Sequence, residues 1–280
     1  MAADVTGESG ALLPPQPGAG LVHEPGAPQP AAPRRHWPHR GRFLLVYGLL
    51  GVVLAAGIAS AVVFGGRSIN PGPAWSSWKP SGGGLGAARQ IAEHVAPAYR
   101  LPGGKQIVDV IAKAPSVSPG AQVVPIHYLA VRGTGGAGDQ ISDVSPSNSV
   151  MFSLCGLGQA CSISSGTASV ARGRLVRREI LELALYTFKY VGGIQNVIAF
   201  MPPKPGAAPQ YVVYLRRSDL GTQLGEPLAQ SLAAKAPLPN TIPAREVRLV
   251  DATTESRVFS FSLSQAQQGD AILVLAPIAA

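Results

Sequence analysis

Hydrophobic and polar positions follow different rhythms in different parts of this chain. Phe43 to Phe64, FLLVYGLLGVVLAAGIASAVVF, has no polar beat: 22 residues without a charge, an amide side chain or a proline. As a helix the run reaches about 33 Å, enough to cross a hydrocarbon layer of roughly 30 Å. A helix also satisfies its own backbone polar groups, as lipid demands. The run therefore predicts a transmembrane helix at 43–64.

Beyond the span the pattern turns periodic. Leu85, Ala88, Ile91, Ala92 and Val95 recur at helical spacing up to Pro97, with Arg89 and Glu93 expected to pair at i, i+4. Runs rich in β-branched residues follow and predict strands at 106–111, 122–131 and 150–155. Residues 133–148, GTGGAGDQISDVSPSN, read as a loop. The longest helix is expected from Ala171 to Val191, with Val176, Ile180, Leu183, Ala184, Thr187, Phe188 and Val191 on one broad side. Ser169 or Thr167 would cap its start, and Gly192-Gly193 would close it.

Strands are expected again at 196–201, 211–216, 246–250, 257–263 and 271–275, with a short helix at 226–236. Val258-Phe-Ser-Phe-Ser-Leu alternates as a half-buried antiparallel strand does, and QAQQGD reads as a hairpin turn before Ala271. Strands in series broken by two or three helices predict an α+β fold with a mostly antiparallel sheet.

Composition adds boundaries. Residues 1–42 hold eight prolines and six glycines, so they are expected to stay a disordered tail. Its proline-rich pieces suit docking to cytoplasmic partners, although a plain solvated leader explains them as well. A Gly/Pro/Ser linker is expected at 65–84, and a folded domain at 85–280. Trp75 and Trp78 in that linker suit either the headgroup layer or the edge of the core.

Charge sets orientation. Arg34, Arg35, Arg40 and Arg42 precede the span, and only Arg67 and Lys79 follow it closely. The positive-inside rule then places the amino terminus in the cytoplasm and the domain outside the cell membrane. Ala59-Ser60-Ala61 reads as a signal-peptide cleavage site, but the apolar run continues past it and starts 42 residues into the chain, which favours an uncleaved anchor. Of the net +8, the tail carries +1, leaving about +7 for the external part. Such a charge suits anionic headgroups, wall polymers or another envelope protein, or only solubility; no nucleic-acid partner is expected. Gly51, Ala55 and Ala59 recur every four residues and would allow weak self-association within the bilayer.

Cys155 and Cys161 are the only cysteines. Outside the cell they are expected to form a disulfide across a hairpin made by 150–154 and 162–164, worth roughly 2–3 kcal/mol on the chain-entropy model. Their spacing fits neither a zinc ribbon nor a redox pair. Catalytic, metal-binding and nucleotide motifs are missing, so no cofactor or metal is expected. A serine–histidine–aspartate set would have to draw on His94 or His127.

One local rule is broken. Arg172, Arg174, Arg177 and Arg178 crowd the positive end of the long helix's dipole. That makes them candidates for an anion- or partner-binding site. The alternative is pairing with acids elsewhere in the fold, such as Asp219 or Asp251.

The run Arg172-Gly-Arg-Leu-Val-Arg-Arg-Glu-Ile-Leu-Glu-Leu-Ala-Leu-Tyr-Thr-Phe-Lys-Tyr-Val, preceded by the two-cysteine loop, resembles a group of uncharacterised single-pass (bitopic) membrane proteins of actinobacteria. The resemblance implies a topology and a lineage and transfers no activity. The expected function is a membrane-anchored envelope interaction or scaffold protein; the alternative is an extracytoplasmic, hydrolase-like enzyme whose site is scattered in sequence.

Overall fold

A computed structural model describes residue 52 and residues 74–117, 123–133, 140–265 and 270–278. The predicted span at 43–64, its Gly51, Ala55 and Ala59 stripe, and the tail lie outside these, apart from Val52. Among the described residues no helix is long and apolar enough to cross a membrane. The residues from Ala74 onward belong to one compact unit, Asn70–Ala280.

The chain runs α1 (Gly84–Val95), β1 (Asp109–Lys113), β2 (Ser116–Val117), β3 (Val124–Arg132), β4 (Ile141–Val144) and β5 (Ser149–Cys155). It continues through α2 (Val170–Tyr190), β6 (Asn196–Phe200), β7 (Tyr211–Arg216) and the short α3 (Gly221–Gly225) and α4 (Leu228–Ser231). It closes with α5 (Ala244–Thr254), β8 (Val258–Gln265) and β9 (Ala271–Pro277). The fold is α+β, with one mixed sheet ordered β1-β5-β6-β7-β8-β9-β3-β2 and β4 added to β3. The pairs β5–β6 and β3–β9 are parallel and the others antiparallel.

Connectivity forces this sheet to curl. β1 and β2 stand at opposite ends of the strand order, yet only Ala114 and Pro115 separate them. From Lys113 to Ser116 the chain reaches no more than about 11 Å. The two ends must therefore approach each other, and the sheet is nearly closed on itself.

Alternation along the central strands then fills two cores. Val150, Phe152, Leu154, Val197, Ala199, Val213 and Leu215 point to one face, where they meet Ile91 of α1 and Leu175, Leu183 and Phe188 of α2. Met151, Ile198, Val212 and Tyr214 point to the other, where Leu129 of β3, Phe259 of β8 and Leu273 of β9 close over them. Strands buried on both faces read as continuous apolar runs, as VMFSL and NVIAF do.

The long helix starts as expected, with Ser169 Oγ accepting from Arg172 N–H at 3.2 Å. Past its end, Gly193 takes the left-handed conformation at φ 80°. Trp75 belongs to the helix-covered core, edge-on to Tyr186 and Tyr190 at 5.6 Å. Trp78 stacks on His94 at 3.9 Å.

Four local expectations are corrected. Residues 246–250 lie in helix α5, not a strand: Glu246, Val250 and Thr254 are buried one turn apart. The 133–148 stretch contains β4, an edge strand so exposed that no burial pattern betrays it. β5 does not pair with 162–164 in a hairpin; its partners are β1 and β6, and beyond its end a Leu157–Ile163 bridge and backbone hydrogen bonds from Gly156, Gly158 and Ser164 close the cysteine loop. No ion pair joins Arg89 to Glu93, both of which are exposed.

Candidate functional site

The four arginines at the start of α2 are placed by one helix and face three environments. Arg174 forks onto Asp251 of α5 with bonds of 2.8–3.0 Å, and Arg177 reaches the same carboxylate at 2.9 Å. The Arg174 hydrogen bond, outweighing burial and helped by Arg177, holds the Asp251 carboxyl below its ordinary range. Arg172 donates to the Ser165 carbonyl and lines a cavity of about 110 Å³ with Ser169 and Gly173. Asp219, the other acid considered as a partner, instead takes Arg216 and Arg257 at 2.9 and 3.1 Å.

Arg178 is wholly buried. It bonds Glu246 of α5 and Glu182 one turn ahead, and donates to the Tyr99 hydroxyl and the Ala233 carbonyl. Tyr99 in turn donates to Glu182, and Glu246 accepts from Ala233 N–H at 2.8 Å. Helices α2 and α5 and two loops are thus tied through one guanidinium, whose planar fork suits several acceptors at once. Glu179, on the same helix, is equally buried, yet neither carboxyl oxygen has a partner among the described residues. Burial above all, then the nearby Glu182 and Asp109, pushes its pKa well above the ordinary 4.5.

The histidines stand apart. His94 stacks on Trp78, and partial burial lowers its pKa. His127 of β3 pairs through Nδ1 with Asp270 at 2.8 Å, both near the surface. Neither histidine lines the cavity beside Arg172 or the larger one between β1, β5, β6 and β8. Among the described residues, no group of three or more histidines, cysteines and acids is arranged to hold a metal.

A larger concavity lies at the open mouth of the curled sheet. Its volume is about 310 Å³, and it is mostly apolar, walled by Met151, Phe200, Phe261 and Leu263. Register explains the gathering. Lys113 sits opposite Met151, and Ser153 is the ladder partner of Phe200, so strands β1, β5 and β6 present these side chains on the inner face. Curling brings β8, with Phe261 and Leu263, to the far wall.

The cysteine loop closes one side of that concavity. Cys155 and Cys161 form a disulfide, and Ala160 and Cys161 line the cavity. Leu157, Ala160 and Cys161, at φ of 65, 51 and 60°, are the only non-glycine residues with positive φ among those described. Such backbone costs free energy and persists where surrounding structure holds it. Here a covalent bond holds it.

No family model, curated protein or solved structure matches the chain. The functional reading therefore rests on geometry. The arginine cluster was legible as a broken charge rule. The mouth cavity was not, because its walls come from β1, β2, β5, β6 and β8 and no short motif marks them.

Proposed function

We propose that the chain is a membrane-anchored envelope interaction protein whose folded part binds a ligand or partner rather than turning over a substrate. The observation that carries this reading is the mouth cavity: an open, largely apolar hollow of about 310 Å³ with a few polar groups at its edge. Hollows of this kind are the usual form of a binding site, at the small end of the range. The disulfide supports an oxidising, extracytoplasmic setting. The anchor at 43–64, with the amino terminus inside, rests on the apolar run and the arginines before it.

The hydrolase alternative needs a histidine, an acid and a nucleophile converging on one hollow. The His127–Asp270 pair would have to recruit a serine, and the Trp78-stacked His94 an acid.

The test is photo-crosslinking in intact cells from a reactive residue at Leu263, followed by purification of the full chain. An envelope component crosslinked at Leu263 but not from a reactive residue at Arg245, on α5, is the expected result. Hydrolysis of a substrate by the purified chain, abolished by His127→Gln, would overturn the reading.

A further inference from the structure

We propose that the mouth cavity binds a single-chain amphiphile, its aliphatic tail lying on the inner face of the sheet and its acidic head held by Lys113. The inference rests on the binding reading above and names the ligand class for that site.

Three observations carry it. The first is size and lining. A hollow of about 310 Å³ suits one aliphatic chain, and Met151, Phe200, Phe261 and Leu263 give that chain an apolar wall of adaptable and aromatic side chains. Leu263 is half exposed, so part of this wall stands open to water. A diacyl lipid would leave most of its second tail outside.

The second is charge. Lys113 lines the cavity at the end of β1, is half-buried, and has no hydrogen bond or ion pair among the described residues. Partial burial lowers its pKa without any acid to offset it. A partly desolvated ammonium gains from one acceptor of opposite charge, because its surroundings are less polar than bulk water. One cation calls for one unit of negative charge, which fits a carboxylate head. Ser153, beside Lys113 on the same wall, supplies a hydroxyl donor. Edge-strand lysines, inward-pointing ones included, also deter strand pairing. That role makes no demand for an acidic ligand, so a preference for the acid separates it from binding.

The third is preorganisation. The loop bearing Ala160 and Cys161 keeps three left-handed residues in place under a disulfide, so this wall is set before a ligand arrives.

The experiment uses the full chain in phosphatidylcholine nanodiscs, with a diazirine-bearing decanoic acid as the probe and decanoic acid or decanol as competitor. Labelled peptides are mapped by mass spectrometry. The expected result is label on peptides containing Met151, Phe200 or Phe261, displaced by decanoic acid at least tenfold more effectively than by decanol. Lys113→Met is expected to erase that preference while leaving decanol's competition unchanged. Because Lys113 is half-buried at a sheet edge, this variant is expected to fold, which circular dichroism checks. Ser153→Trp, filling the hollow, is expected to remove both.

Label confined to bilayer-facing peptides would overturn the proposal, as would an acid preference that survives Lys113→Met. Displacement by phosphatidylglycerol in the nanodisc, in place of the free acid, would overturn the single-chain assignment. If the amphiphile fails while Leu263 still crosslinks an envelope protein in cells, the ligand class falls and the binding reading stands. Catalytic turnover would remove both.

Discussion

The seam between α2 and α5 and the mouth of the curled sheet both take cations out of bulk water, with opposite outcomes. At the seam, Arg178 has two carboxylates, a phenol hydroxyl and a carbonyl, and Arg174 and Arg177 share Asp251. At the mouth, Lys113 has none of these among the described residues. Of the four arginines within seven residues, Arg174, Arg177 and Arg178 already hold carboxylates and Arg172 only a carbonyl, whereas the single lysine holds neither among the described residues. Partnering, rather than density of charge, separates the two. A cation whose acceptors are already in the fold has little left to offer a ligand.

The largest expected effect comes from breaking the seam. Glu246→Ala leaves Arg178 buried without its main carboxylate and is expected to cost about 3–5 kcal/mol, read from guanidinium unfolding. Replacing both, Arg178→Met with Glu246→Leu, should recover only part of that loss: the unpaired guanidinium is gone, but Glu182 loses its arginine and the Ala233 backbone groups lose their partners.

Opening the disulfide comes next. Cys155→Ser with Cys161→Ser is expected to lower stability by roughly 2–3 kcal/mol on the loop-entropy model and to weaken probe labelling of the cavity. Labelling that stays at full strength would separate the mouth from its stapled wall.

Glu179 sharpens the comparison from the acidic side, since it is buried within the helix-covered core yet unpaired. Its folded pKa lies above its unfolded one, chiefly through burial. Below about pH 4.5 both states hold the proton, and only the cost of burying an unpartnered neutral carboxyl remains. Above that, the unfolded chain releases a proton that the folded chain keeps, so stability falls as pH rises toward the folded value. Glu179→Met is expected to add about 1–3 kcal/mol at neutral pH and to flatten that decline in a pH series of unfolding curves.

The smallest effect is expected at the exposed end of the seam. Arg174→Gln with Arg177→Gln should change retention on anionic vesicles by less than about twofold. Stability should fall only slightly, because both pairs are partly solvated. A large loss of vesicle retention would return the arginines to the role their density suggests.

Local pattern carried much of this architecture and little of its site. The boundaries of α2 and β7 follow from helical spacing in Val176–Val191 and from the β-branched run at Tyr211. In α5, Val247, Leu249 and Val250 weigh toward strand, although Pro243 just before it and burial at 246, 250 and 254 mark a helix. The parallel β3–β9 pairing joins segments more than a hundred residues apart and leaves no local trace. The mouth depends on that closure, so Lys113 reads in sequence as one more lysine at a strand end.

One comparison tests the central claim most directly: the displacement constants of decanoic acid and decanol, measured on the full chain, on Lys113→Met and on Arg174→Gln. The account predicts that Lys113→Met weakens the acid about tenfold, or 1.4 kcal/mol, and spares the alcohol, while Arg174→Gln changes neither. Loss of acid binding in Arg174→Gln, with Lys113→Met unchanged, would contradict it.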